Sequence, residues 1–214
     1  MARPTDPLPP AAHTALVQLP CAIAAWMSGA AVRLEVGIAA LAVFALAWPP
    51  RAPWRPLAAK RVLAGYVPFA IAWLAFVAVY LRVTHACGWP VPPQPELMQL
   101  AREGLATAGL VSRLVGIVLI APVLEEVLFR GYLFTALDFV VPRRVAHVTT
   151  AVAFGAVHGA GYALPIGVLA LFFGWLRARH GSLLPSILAH AVHNALTVGV
   201  TMAWPGHLDL LYPR

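Results

Sequence analysis

Two adjacent carboxylates and an arginine lie inside a long apolar run of this sequence: Glu125, Glu126 and Arg130, within residues 114–141. A charge near the centre of a bilayer costs on the order of 3 kcal/mol, so such groups must be paired or face a polar cavity. Glu126 and Arg130 are four residues apart with the carboxylate first, which is the favourable order for a helical ion pair. This pairing leaves Glu125 without a partner, and an unpaired carboxylate at membrane depth is a candidate for chemistry.

Three more polar side chains occupy apolar segments downstream. His158 follows Phe154 by four residues and Asn194 follows His190 by four, so each pair shares a helical face. Two chemistries suit this set. A carboxylate and an imidazole can deprotonate a water while a second histidine and an asparagine donate to the oxyanion. Alternatively, Glu125, His158 and His190 are the ligand types of a catalytic zinc site, although no HExxH motif is present.

Helix lengths give a first expectation of which groups converge. At about 1.5 Å per residue, Glu125 lies about 26 Å before Pro142 and His158 about 24 Å after it, so both should reach a similar depth. His190 lies only about 12 Å beyond Ser182 and should converge less well. Because zinc needs all its ligands within about 2.2 Å, this expectation favours chemistry without a metal cofactor, with zinc as the alternative.

The composition indicates an integral membrane protein. Of 214 residues, 61% are hydrophobic and 11% are charged, with a mean hydropathy of +0.79, whereas soluble domains carry about 25% charged residues. The net charge of +7 comes from basic residues between apolar runs, as in membrane topology signals, so no nucleic-acid partner is expected. Two cysteines without CxxC spacing provide no disulfide framework.

The apolar segments predict an all-α polytopic transmembrane helix bundle of about seven spans, with a polar cavity in its C-terminal half. The predicted spans are 14–32, 34–48, 62–81, 114–141, 145–160, 163–177 and 182–203, where the first two could instead form one bent helix. Basic residues at 51–61, 143–144 and 177–179 then fall on one side of the membrane. The positive-inside rule places the N-terminus in the cytoplasm and the C-terminus outside.

The motifs Glu-Glu-x-x-x-Arg, Phe-x-x-x-His and His-x-x-x-Asn, each in its own apolar segment, resemble the CPBP family. These are the CAAX-processing and bacteriocin-processing intramembrane proteases, similar to the type II CAAX prenyl endopeptidases. The resemblance implies water activation by Glu125 with His158, oxyanion stabilisation by His190 with Asn194, and bracing of the site by Glu126 with Arg130. The family has been described both as metalloproteases and as glutamic proteases, so the resemblance leaves metal dependence open. An extra histidine, His193, is expected to be a bystander.

The resemblance covers about residues 108–203 and suggests the domain organisation. Residues 1–13 are expected to be a disordered cytoplasmic lead, 14–107 the N-terminal transmembrane helices and loops, 108–203 the catalytic bundle, and 204–214 a C-terminal tail.

The sequence therefore predicts an intramembrane endopeptidase of a bacterial inner or plasma membrane. Its partners would be the lipid bilayer and a membrane-tethered protein or peptide substrate: a prenylated protein, a bacteriocin precursor or a sorting-signal protein. Oligomeric state is open. Two alternatives are a non-enzymatic transporter or scaffold, and a b-type haem electron carrier that uses His158, His190 and His193.

Overall fold

The computed structural model describes residues 59–103 and 109–212, and all regular secondary structure in these ranges is helical. The all-α prediction is thus confirmed for this part of the chain. The helices are α1 (Ala59–Ala86), α2 (Pro95–Glu103), α3 (110–140), α4 (Arg143–Ala156), α5 (Ala163–His180), α6 (Leu184–Ala203) and α7 (His207–Leu211). The predicted lead 1–13 and spans 14–32 and 34–48 lie outside the described residues.

Helix α1 contains the predicted span 62–81. Within the described ranges it is the one helix that is long and apolar enough to cross a membrane by length and composition. Its 28 residues extend about 42 Å, more than the hydrocarbon thickness of a bilayer. Val62 and Tyr66 are buried against α5 and α6, whereas Val67, Ile71 and Leu74 are exposed. This outward apolar surface is suited to contact with lipid, and the count of seven spans remains a prediction.

Helix α3 is continuous but not uniform. It is α-helical over Leu110–Val115, Ala121–Glu126 and Phe134–Val140, and π-helical over Gly116–Ile120 and Val127–Leu133. In the first π stretch the Ala121 N–H donates to the Gly116 carbonyl, five residues back. Glu125 and Glu126 therefore lie in one α-helical segment between two widened turns. Such turns occur frequently at functional sites.

Helix α4 is shorter than predicted. It ends at Ala156, so His158 lies in the turn that follows it rather than inside a helix over 145–160. Gly159 in this turn has φ +94°, a conformation that favours glycine and ends the helix. Gly155 lets α4 approach the start of α5 closely, because a Cβ at this position would be 2.1 Å from the Ala163 carbonyl oxygen.

Helices α5 and α6 agree more closely with expectation. Helix α5 runs three residues beyond the predicted 177 and ends before Gly181, which has φ +60° and whose N–H donates to the Arg177 carbonyl. Helix α6 begins at Leu184, with Pro185 in its first turn, where a missing N–H leaves no helical hydrogen bond unmade.

The basic residues after α3 and at the end of α5 lie at the same end of the bundle. The guanidinium carbons of Arg143 and Arg177 lie 6.0 Å and 4.5 Å from the centroid of the Phe134 ring. This proximity agrees with the predicted grouping of 143–144 with 177–179 on one side, while the loop 51–61 is described only from residue 59.

Candidate active site

The ion pair expected from the Glu126–Arg130 spacing is present and completely buried. Arg130 Nη1 lies 3.0 Å from Glu126 Oε1, and the side chains are 1% and 0% exposed. Arg130 Nη2 also donates to the Ala170 carbonyl of α5 at 3.0 Å. Its guanidinium carbon lies 4.4 Å from the centroid of the Phe154 ring and 5.7 Å from that of Phe173. Arg130 thus links α3 to α4 and α5 beside the predicted site.

His190 lies between the two glutamates. Its Nδ1 is 3.0 Å from Glu126 Oε1, and its Nε2 is 3.7 Å from Glu125 Oε2. The imidazole is stacked on Phe173 with a centroid distance of 4.7 Å. Because an ionised carboxylate only accepts hydrogen bonds, Nδ1 is the donor to Glu126. In the neutral ring the lone pair is then on Nε2, next to Glu125.

The expectation that His190 converges poorly is wrong. That expectation measured the depth of Glu125 from Pro142, but Phe134, eight residues earlier, is already level with the last turn of α5, because Arg177 packs on its ring. Glu125 is nine residues from Phe134, or about 14 Å of helix, and His190 is six residues into α6, or about 9 Å. The two side chains therefore lie at similar depths.

His158 is held by the end of its own helix. Its Nδ1 lies 2.7 Å from the Phe154 carbonyl oxygen, which can only accept, so Nδ1 carries the proton and Nε2 of the neutral ring is the acceptor. The centroid of the Phe154 ring lies 4.7 Å from that of His158 and 5.9 Å from that of His190. Phe154 therefore contacts both predicted catalytic histidines and Arg130. The sequence indicated Phe154 only through its four-residue spacing from His158.

Asn194 has a structural partner that the sequence did not suggest. Its Nδ2 donates to the Ile117 carbonyl of α3 at 2.9 Å. In the π-helical register that Ala121 follows, residue 122 would donate to this carbonyl, but Pro122 has no N–H. Asn194 thus supplies the hydrogen bond that the proline cannot make. The amide has two N–H donors, and this contact uses one of them.

His193 points toward a different helix from His190. Its Nδ1 lies 3.0 Å from the Tyr66 hydroxyl of α1, and the indole of Trp73 packs edge-on against it at 4.7 Å. His190 instead faces α3 through Glu126. The two imidazoles are held against separate helices, and this arrangement offers no support for the haem alternative.

The donor set for the zinc alternative does not come together in this conformation. Across residues 59–103 and 109–212, no three His, Cys, Asp or Glu side chains are grouped closely enough to hold a metal ion. Glu125, His158 and His190 fall within these ranges, so as placed they do not fit a zinc ion, which needs its ligands at about 2.0–2.2 Å.

Comparison with known families agrees with the motif resemblance. Residues 107–196 match the family model described as type II CAAX prenyl endopeptidase Rce1-like. Neither the curated proteins nor the solved structures gave a match. The matched segment includes all six predicted site residues and supports a membrane hydrolase over a transporter or an electron carrier. Over this segment, the chain is similar to the type II CAAX prenyl endopeptidases of the Rce1-like family.

Proposed function

We propose that this protein hydrolyses a peptide bond of a membrane-tethered protein or peptide, with Glu125 and His158 activating the water. His190 and Asn194 would stabilise the oxyanion, and Glu126 with Arg130 would hold the site in place. The observation that carries the proposal is the different environment of the two neighbouring glutamates.

Glu126 is poorly suited to act as the base. Its side chain is 0% exposed, and its Oε1 is engaged by both Arg130 and His190. Glu125 is 18% exposed, and its contact with His190 at 3.7 Å is longer than a hydrogen bond. A carboxylate that is partly accessible and lies beyond hydrogen-bond distance of His190 can accept a proton from water. This difference supports Glu125 as the base.

The proposed reaction follows from these donors and acceptors. Glu125 takes one proton from the water as the water oxygen bonds to the carbonyl carbon of the substrate. The carbonyl oxygen becomes an oxyanion, and the C–N bond then breaks as the proton passes to the leaving amine. His158, whose Nε2 is an acceptor in the neutral ring, can share the proton with Glu125.

His190 requires a second ring proton to donate to an oxyanion. Its Nδ1–H is directed at Glu126, so a donor role for Nε2 needs the imidazolium form. Asn194 retains one amide N–H beyond its bond to Ile117, and this N–H is the second proposed oxyanion donor.

The test is a comparison of membrane peptides in cells that carry the wild type, Glu125→Gln or Glu96→Gln. Glu96 is an exposed carboxylate in the first turn of α2 and serves as the matched control. New peptide termini that depend on the wild type should disappear with Glu125→Gln and persist with Glu96→Gln, at equal protein levels in the membrane. The general-base contribution alone is about 10²–10⁴ in rate. Cleavage by Glu125→Gln within a few-fold of wild type would exclude Glu125 as the base.

A further inference from the structure

The turn that carries His158 connects α4 to α5 and comprises residues 157–162. Its own hydrogen bonds are short-range, because the N–H groups of His158 and Tyr162 donate to carbonyls three residues back. Gly159 and Ala160 in this turn are exposed. An exposed turn with only short-range hydrogen bonds has low local stability, so contacts from other elements decide its position.

Helix α1 donates two side-chain hydrogen bonds to this part of the chain. The Tyr80 hydroxyl donates to the Gly161 carbonyl at 2.9 Å. The Trp73 indole N–H, seven residues earlier and on the same face of α1, donates to the Pro165 carbonyl at 3.0 Å. Pro165 is also the residue four positions after Gly161, and it has no N–H, so no helical bond from α5 can satisfy the Gly161 carbonyl. The Tyr80 hydroxyl supplies that bond.

The loop after α1 also contacts the turn. Val91 is buried in one hydrophobic cluster with residues of α1, and the partly buried Tyr162 packs against this cluster. Val91 lies so close to Gly161 that a Cβ on the glycine would be 3.1 Å from Val91 Cγ1. The Tyr162 hydroxyl donates to the Pro92 carbonyl. The last two residues of the turn are therefore both held by contacts with residues 80–92.

The position of this turn sets the position of the His158 ring. The Nδ1 of the ring is bonded to the Phe154 carbonyl at 2.7 Å, which limits its rotation. The remaining freedom is displacement of the turn, which would move Nε2 away from the water that Glu125 is proposed to activate. A displacement of about 1 Å at a catalytic group can lower the rate about 10²-fold.

We propose that Tyr80 and Val91 are positioning residues of the peptidase, because they hold the turn from which His158 reaches the reacting water. The proposal rests on the proposed function, in which His158 shares the proton with Glu125. Tyr80 and Val91 both lie before the matched segment 107–196, so the motif resemblance does not include them. The catalytic unit then includes α1 and the loop that follows it.

The first measurement is amide hydrogen exchange, followed by mass spectrometry on the full chain in dodecyl maltoside micelles. Tyr80→Phe removes the hydroxyl and keeps the ring, so exchange in a peptide that covers 157–162 should become about three- to tenfold faster, as expected for loss of one hydrogen bond. The matched control is Tyr66→Phe, which removes a hydroxyl from the same helix, 3.0 Å from His193 Nδ1. It should change exchange in the turn by less than about twofold.

The second measurement is steady-state cleavage of a quenched fluorescent peptide that spans a junction cut in wild-type cells and not in cells with Glu125→Gln. Tyr80→Phe should lower kcat about three- to tenfold and leave KM within about twofold, since the misplaced group acts on the transition state. Tyr66→Phe should leave both constants within about twofold. In a His158→Ala background, Tyr80→Phe should lower kcat by less than about twofold further, because no His158 ring remains to be positioned.

Each outcome decides one part of the proposal. Equal exchange in the two tyrosine variants would overturn Tyr80 as a restraint on the turn. A loss confined to KM, or an undiminished loss of kcat in the His158→Ala background, would overturn the positioning role; if His158→Ala has no measurable turnover, the comparison of kcat with KM decides. Faster exchange with Tyr80→Phe, but no junction that depends on Glu125, would overturn the proposed function alone. If Tyr80→Phe does not fold, Val91→Ala, which removes packing on Gly161, is tested by the same two measurements.

Discussion

Replacing Glu126 with glutamine should destabilise the protein much more than the same change at Glu125. Glu126 and Arg130 form a fully buried ion pair, and removing one partner of such a pair costs about 3–5 kcal/mol because the other charge is left uncompensated. Glutamine keeps one acceptor oxygen, and Arg130 retains its bond to the Ala170 carbonyl. We therefore expect a loss near the lower limit, about 3 kcal/mol.

The matched variant is Glu125→Gln. Glu125 is partly exposed, and its contact with His190 is longer than a hydrogen bond, so the expected loss is about 0–1 kcal/mol. The two substitutions make the same chemical change at adjacent positions of one helix. The difference between their losses of stability therefore reports the environment of each carboxylate and not the helix propensity of glutamine.

The free energy of unfolding can be measured in mixed micelles of dodecyl maltoside and sodium dodecyl sulfate, followed by tryptophan fluorescence. The double variant Glu126→Gln/Arg130→Gln removes both charges and should lose less stability than the sum of the two single variants, since no buried charge is stranded. A larger loss for Glu125→Gln than for Glu126→Gln would refute the division of roles between the two glutamates. A strictly additive double variant would refute the buried ion pair as its cause.

Four further predictions concern the histidines, Asn194 and metal dependence. His190→Ala and Asn194→Ala should each lower turnover about 10²-fold with a smaller change in KM, as measured by steady-state kinetics, and an effect confined to KM would contradict an oxyanion role. Adding Pro122→Ala to Asn194→Ala should recover part of the lost free energy of unfolding, because alanine restores an N–H near the Ile117 carbonyl. No recovery would contradict the proposal that the Asn194 amide replaces the N–H that Pro122 lacks. His193→Ala should leave turnover within a few-fold of wild type but lower the free energy of unfolding by about 1–3 kcal/mol, and Tyr66→Phe should reproduce most of that loss. A catalytic defect without a change in stability would show that His193 is not a structural residue. Activity should survive chelators, and loss on chelation with recovery on zinc addition would establish the metal-dependent alternative.

Sequence spacing predicted the local partners in the site well. The four-residue intervals of Glu126 with Arg130 and of Phe154 with His158 both correspond to direct contacts in the structure. These contacts depend only on helical geometry, which the sequence specifies through its apolar run and the positions of its polar residues. The all-helical architecture follows from the same runs.

Contacts between helices were predicted less well, because they depend on where each helix ends. His158 was predicted to lie inside a helix, but α4 ends at Ala156, two residues before it, and Gly159 follows with φ +94°. Glu125 was placed too deep relative to His190, because Phe134 rather than Pro142 is level with the last turn of α5, and this level is set by the packing of Arg177 on Phe134. The pairing of His193 with Tyr66 joins residues 127 positions apart, and no local pattern indicates it.

Asn194 shows why a motif residue can have two roles that the sequence does not separate. In an ordinary α-helix Pro122 would leave the Val118 carbonyl without its donor, but the π-helical register shifts the vacancy to Ile117. Only the packing of α6 on α3 then brings the Asn194 amide to this carbonyl. The same amide can hold α3 in the shape that presents Glu125 and can also donate to an oxyanion. Loss of activity in an Asn194 variant therefore identifies an oxyanion donor only if turnover falls further in a background where Pro122→Ala has already restored the helix.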